Sequence, residues 1–522
     1  MRLRILVAGL LLLVGAAGAA AQPAFRYAAS QDVETMDPVG RFGIFTLGFL
    51  HAIYEPLVRY DRDLKLEPAL ATAWTRVDAT TWRFTLREGV RFHDGSALTA
   101  ADVVFSIERG KAEGSAMAAT LAPVAAAVAI DARTVELVLA RPQPTLLNDL
   151  AFVFIMSRRW AEANNSVKPT NLRANALVPA HGDAMGTGPF RLVRREADTR
   201  TELAPNPAWW DRPAKPLPRV EFRPIRAAGT RIAALLSGEV DFIDPLPLQD
   251  VARIQAAGGF TVRQAAELRT LFLGMDQARP ELLGASVKGA NPFKDPRVRR
   301  AIYQAIDIGA IRERVMRGAA DVTGSMVGPG VVGYEPGFEP RLPFDVDAAR
   351  RLMAEAGYAS GFSVGFDCPN DRWVNDEAIC QAIVPMLARI GIMATLDAQP
   401  GGRYLNKVLN RETALYLLGW TPGNNDAFDV IKPIMAPREG AYGLFNIGGY
   451  ANPRVTELAK AIEVEADGAK RLAMIREAIG LHAADIGHVP LHRQYTTWAH
   501  RRGIEVVQRA DGVLPLWQVH VP

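Results

Sequence analysis

Short strand patterns alternate with capped, amphipathic helix patterns along almost the whole chain, and this alternation restricts it to the α/β class. In residues 82–108, WRFTLREGVRFHDGSALTAADVVFSIE, Trp82, Phe84 and Leu86 alternate with polar residues as in a half-buried strand. Glu88-Gly89 and Asp94-Gly95 are turn pairs, and Thr99 with Asp102 three residues on opens a helix carrying Val103, Val104 and Ile107. Residues 134–142 and 186–196 read as further strands, and residues 230–243 as a helix stopped at Gly238 and then a strand. In the second half Asp295 caps a helix with Pro296 in its first position, and Asp345 caps another that ends at Gly357. Ile379, Ile383, Leu387 and Ile390 share one face of a third, with Pro385 inside it. Helices are also expected over residues 452–465 and 469–485. The apolar run ALYLLG, 414–419, has the length of a buried strand.

The N-terminus has the pattern of a secretory leader. Arg2 and Arg4 precede an apolar run from Ile5 to Val14, and small residues follow to Ala19-Ala20-Ala21. The apolar run is shorter than the ~20 residues a membrane span needs. Cleavage after Ala21 leaves 501 of the 522 residues. That is longer than the ~250–300 residues at which single cores stop growing, so two or more domains are expected. Losing Arg2 and Arg4 lowers the net charge from +4 to +2. Acids and bases are interspersed, which argues against a nucleic-acid partner.

Two cysteines, Cys368 and Cys380, are twelve residues apart. Export permits a disulfide between them, and two buried thiols are the alternative. No HExxH, GxSxG or phosphate-loop pattern occurs, and Pro189 interrupts the glycine-rich GTGPF stretch. His482, His488 and His492 invite a metal reading. Pro490 favours an extended chain, however, and residues four apart on a strand lie ~13 Å apart. No metal and no cofactor is expected.

Several stretches in order resemble one family: ETMDP (34–38), YEPLVRYDRDLKLEPALATAW (54–74), residues 82–108, GTGPFRL (186–192), NPAWWDRPAKP (206–216), LLSGEVDFI (235–243), NPFKDPRVRRAIYQAID (291–307), FDVDAARRLMAEAGY (344–358) and VPLHRQ (489–494). The chain is similar to extracytoplasmic solute-binding proteins of ABC importers, in the class of dipeptide-, oligopeptide- and nickel-binding proteins. The resemblance implies a two-lobed fold with an extra subdomain and the ligand enclosed between the lobes. Lobe I is expected over residues 22–56, 186–275 and 488–522, the extra subdomain over 57–185 and lobe II over 276–487. It also implies a monomeric periplasmic receptor, not an enzyme, that captures a peptide or peptide-like solute for an inner-membrane permease. An oligosaccharide, an opine-like conjugate or a metal chelate is the alternative solute. A secreted hydrolase using Asp426 and Asp429 is the alternative of another class.

The stretch GWTPGNNDAFD, 419–429, leaves the ALYLLG strand and carries an indole and two carboxylates. In the family's peptide binders an aspartate three residues after the pocket tryptophan holds the ligand's amino group; counted from Trp420, that position is Gly423. Trp420 is expected as an apolar pocket wall, with Asn424, Asn425 and Asp426 as polar ligand contacts and Asp429 as mainly structural. Arg372 and Trp373, in NDRWVND, are further expected ligand contacts, since a guanidinium matches a carboxylate bidentately. The exported form should begin at Gln22, and N-terminal sequencing of the secreted protein checks it.

Overall fold

The computed structural model describes residues 24–213 and 217–522, so the expected leader and its cleavage site lie outside the described residues. A mixed sheet of 11 strands runs through the molecule. One end orders Phe190–Glu196, Arg200–Pro205, Val220–Pro224, Phe25–Ala29 and Phe242–Asp244 side by side. The other end orders Leu415–Trp420, Phe362–Pro369 and Ile392–Gln399. Two long antiparallel strands, Phe260–Met275 and Val489–Arg501, join the ends.

These two strands are not uniformly paired. Ala266 faces Tyr495 and Thr270 faces Arg493, so Glu267, Leu268 and Arg269 stand opposite Gln494 alone. A bulge of this kind breaks the ladder and turns side chains off the sheet face. It falls where the sheet changes neighbours. On one side Val489–Arg501 pairs with Phe242–Asp244, and on the other Phe260–Met275 pairs with Leu415–Trp420.

The local signals in the sequence act where they stand. Asp295 accepts a hydrogen bond from Arg297 N at 2.8 Å, Asp345 from Ala348 N at 2.8 Å and Asn452 from Arg454 N at 2.9 Å, each relieving an unpaired amide at a helix start. Thr99 N donates to Asp102 at 3.0 Å, and the helix Ala100–Lys111 follows. The glycines of GTGPF serve backbone packing: a Cβ at Gly186 would sit 2.1 Å from the Ile53 carbonyl oxygen.

Residues between about 57 and 155 form a core of their own. A four-stranded sheet of Ala71–Arg76, Thr81–Leu86, Thr134–Leu139 and Val124–Ala129 packs Phe84, Leu86, Val135 and Leu137 against Val103 and Ile107. This unit is fastened to the main sheet by buried polar groups. Asp37, which follows the first strand, meets Arg109 through two contacts of 2.7 and 2.6 Å, and both side chains are almost fully buried. The remaining valences are filled, with Thr170 N donating to Asp37 and Arg109 donating to Ser166 O and Lys168 O. Glu55 is equally enclosed and accepts from Thr187 and from the indoles of Trp209 and Trp210 at 2.8–3.0 Å. Burial raises its carboxyl above the usual range, and the donors oppose that shift.

Arg109→Met leaves Asp37 buried without its cation, so a loss of ~3–5 kcal/mol of stability is expected. Denaturant unfolding of variant and wild type measures it.

Candidate functional site

A cavity of about 650 Å³ opens beside the bulge, between the two ends of the sheet. The long strands contribute Glu267, Arg269, Gln494 and Thr496 to its wall. One end of the molecule adds Asp244 and its following turn, and the other adds Arg372 and Trp373. Strand ends deliver these groups: Asp244 closes Phe242–Asp244, and Arg372 follows Phe362–Pro369.

The loop that carries Arg372 is held tightly. Cys368 and Cys380 are joined as a disulfide with Cα atoms 6.5 Å apart, which brackets the loop between its strand and the helix Asp376–Ala388. Asp376 accepts from the backbone N–H groups of Arg372 and Trp373, each at 2.9 Å. Asp371 accepts from Gly401 N at 2.6 Å. The Trp373 ring is only 8 % exposed and lies against the backbone at Gly419 and beside Tyr404. Among the described residues the Arg372 guanidinium has no hydrogen-bond or ion-pair partner; it lies over the face of Trp373, 5.4 Å away, with Asp371 and Asp376 near enough to act on its charge. Burial, and after it the nearby Arg269, push its pKa down. The arrangement offers a fixed, unneutralised cation beside a flat apolar surface, which suits a carboxylate-bearing ligand.

Residues 65–442 match the family described as bacterial extracellular solute-binding proteins, family 5. The chain belongs to this family. The glutathione-binding protein GsiB of Shigella dysenteriae is 24 % identical over 487 residues, covering 91 % of this chain and 90 % of that protein. The substrate-binding protein CtaP of Listeria monocytogenes aligns with a TM-score of 0.82 at 20 % identity, over 96 % of this chain and 99 % of that one. The periplasmic binding protein DppA of Helicobacter pylori, solved with the peptide STSA, aligns with a TM-score of 0.74 at 24 % identity over 96 % and 98 %. The fold is the two-lobed α/β fold of these family 5 proteins, and the chain is an extracellular solute-binding protein. The family and these relatives are binding proteins. Among the described residues no helix is long and apolar enough to cross a membrane.

In the GWTPGNNDAFD loop of this family 5 protein the expected contact residues Asn424, Asn425 and Asp426 are not among those lining the cavity. Asp426 is an ion-pair partner. It is 3 % exposed, and both of its oxygens are 2.8 Å from the Arg471 guanidinium. Asn425 is also buried, with positive φ, and its carbonyl accepts from Val332 N. Asn424 reaches across to the 57–155 unit instead of into the cavity: its amide donates to Asp149 at 2.8 Å and its carbonyl accepts from the Tyr60 hydroxyl at 2.9 Å. The Trp420 indole N–H donates to Asp429 O at 2.6 Å and the ring packs on Phe445, leaving Thr421 as this strand's contribution to the cavity wall. Sequence reading missed Asp244, Glu267, Arg269, Gln494 and Gln508. Only for Asp244, an acid at a strand end before a proline, was there a local signal.

Among the described residues no cluster of His, Cys, Asp and Glu side chains is arranged to hold a metal ion. His482 and His488 are hydrogen-bonded ring to ring at 2.9 Å, and burial holds both below the usual imidazole range, His482 at about 4. They are neutral packing groups at physiological pH.

Two carboxyls at the Asn424 contact are pushed up by burial, Asp149 to about 6 and Asp429 to about 7. For Asp429 the backbone N–H of Gly423 opposes the shift, and the charges of Asp149 and Asp426 add to it. A carboxyl whose folded-state pKa is raised stabilises the fold fully below its unfolded pKa, ~3.9, and that stability is lost as pH climbs through the folded value. Stability should therefore fall between about pH 4 and pH 7 through Asp429. Asp429→Asn keeps an acceptor for Gly423 N and should flatten this slope. Denaturant unfolding of both proteins across that range checks it.

Proposed function

We propose that the chain is a periplasmic receptor, monomeric when free, that captures a peptide or peptide-like amino compound and hands it to an inner-membrane permease. The observation that carries the reading is the unpartnered Arg372 on a braced loop in the wall of the inter-lobe cavity. A ligand carboxylate forms a bidentate, charge-assisted pair there, while Trp373 supplies a flat apolar contact at little entropic cost. The relatives named for glutathione and for a bound tetrapeptide support a peptide-like solute. The leader-like N-terminus supports a periplasmic location.

In this reading lobe I comprises residues 22–56, 186–275 and 488–522, with the extra subdomain at 57–185 and lobe II at 276–487. The separate apolar core between about residues 57 and 155 supports the subdomain, and the change of strand partners at the bulge supports a crossing between lobes near residue 275.

The test begins with native mass spectrometry to recover the retained solute. Calorimetry then compares wild type with Arg372→Gln. Loss of a desolvated charged hydrogen bond should weaken binding about tenfold to a hundredfold. Equal affinity in the two proteins would place the solute away from Arg372.

A further inference from the structure

The cavity wall holds two charged groups of opposite sign without an ion pair among the described residues. On one side it is Arg372, a donor. Across it, Glu267 is taken up by Arg269 at 3.5 Å, and the group that remains is Asp244, an acceptor. Asp244 accepts from Gln508 Nε2 at 2.8 Å and from the Thr496 hydroxyl at 3.4 Å, and among the described residues it has no ion-pair partner. Glu267 accepts from Gln494 Nε2 at 3.0 Å.

These two contacts fix the orientation of both glutamine side chains. A carboxylate can only accept, so each amide must turn its NH₂ toward the acid and its oxygen away. The oxygens so displaced, Gln494 Oε1 and Gln508 Oε1, are buried and have no donor. Gln494 is only 5 % exposed, and both glutamines line the cavity. A buried amide oxygen without a donor is destabilising, and in the wall of a ligand cavity a donor on the ligand is one way of satisfying it. Gln508 bonds Asp244 directly, and Gln494 bonds Glu267, whose charge acts on Asp244, so acceptors gather at this wall. A primary ammonium matches it, with three donors and a compensating charge. The charge balance agrees: burial raises Asp244 to about 6 and the charge of Glu267 adds to it, while Gln508, Thr496 and the charge of Arg231 only partly oppose the shift.

We propose that Asp244, Gln494 and Gln508 form a subsite for a primary ammonium group, so that the captured solute spans the cleft with its amine on this wall and its carboxylate toward Arg372. The proposal rests on the reading of the Arg372 cavity as the solute site, and it adds the second anchor and the charge pattern of the ligand. Because the two anchors belong to different lobes, only a solute carrying both charges satisfies both.

The probe is the fraction of yeast extract below about 1 kDa, offered to the full chain before and after treatment with acetic anhydride, which removes primary amines as cations. Captured species are read by native mass spectrometry and their affinities by calorimetry. Wild type should capture amine-bearing solutes from the untreated fraction and lose them from the acetylated one. Asp244→Asn, which is isosteric and keeps an acceptor for Gln508, should raise Kd about 10- to 100-fold, and Gln494→Met should weaken the same solutes with an unchanged melting temperature. Capture that survives acetylation, or equal affinity in wild type and Asp244→Asn, overturns the ammonium subsite while leaving the receptor reading intact. Capture of nothing by wild type overturns both.

Discussion

The interruption in the ladder between Phe260–Met275 and Val489–Arg501 governs this molecule. A regular antiparallel pair would have carried the sheet unbroken from one lobe to the other, with its side chains buried in packing. Three residues set against one break that continuity. The break turns Glu267 and Arg269 toward the cavity and leaves Gln494 opposite them. The same irregularity marks where the strands exchange one set of neighbours for the other. Site and joint are thus one feature of backbone pairing, as is common where bulges re-aim side chains at functional positions.

Buried charge around this frame follows one pattern. Asp37 with Arg109, Asp426 with Arg471 and Asp511 with Arg509 are each bidentate and enclosed. The first two hold separate segments in register, the third braces one turn, and removing either member of a pair leaves a costly uncompensated charge. Against that background Arg372 and Asp244 differ from the framework groups. Each is a charged side chain in the cavity wall without an ionic partner among the described residues. Other charged groups of the cavity wall, Glu267 with Arg269 and Asp511 with Arg509, are paired, so Arg372 and Asp244 stand out there by lacking an ionic partner.

This also decides what the sequence could disclose. Helix starts at Asp295, Asp345 and Asn452 were legible because a cap and its amide lie within three residues of each other. The buried strand before Trp420 was legible for the same reason, its composition being local. Asp426 looks free for a ligand in the sequence because its partner Arg471 lies 45 residues away, and no local pattern announces such a pair. Asn424 does so likewise, since Tyr60 and Asp149 come from a distant part of the chain. The cavity wall was the least legible of all. Asp244, Glu267, Gln494 and Gln508 meet only through long-range strand pairing, and each alone is an ordinary polar residue.

The bridge made by Asn424 bears on delivery. A receptor that feeds a transporter must let its cargo go, so whatever holds its two lobes together has to be easily exchanged. Asn424 joins the 57–155 unit to the Leu415–Trp420 end through two hydrogen bonds, and Arg141 adds an ion pair to Glu463 at 3.0 Å. The bond to the Tyr60 hydroxyl is worth ~0.5–1.5 kcal/mol net and the one to the Asp149 carboxyl ~1.5–3 kcal/mol. These contacts set the angle at which the two parts meet, and separating the parts means exchanging all three of them for water.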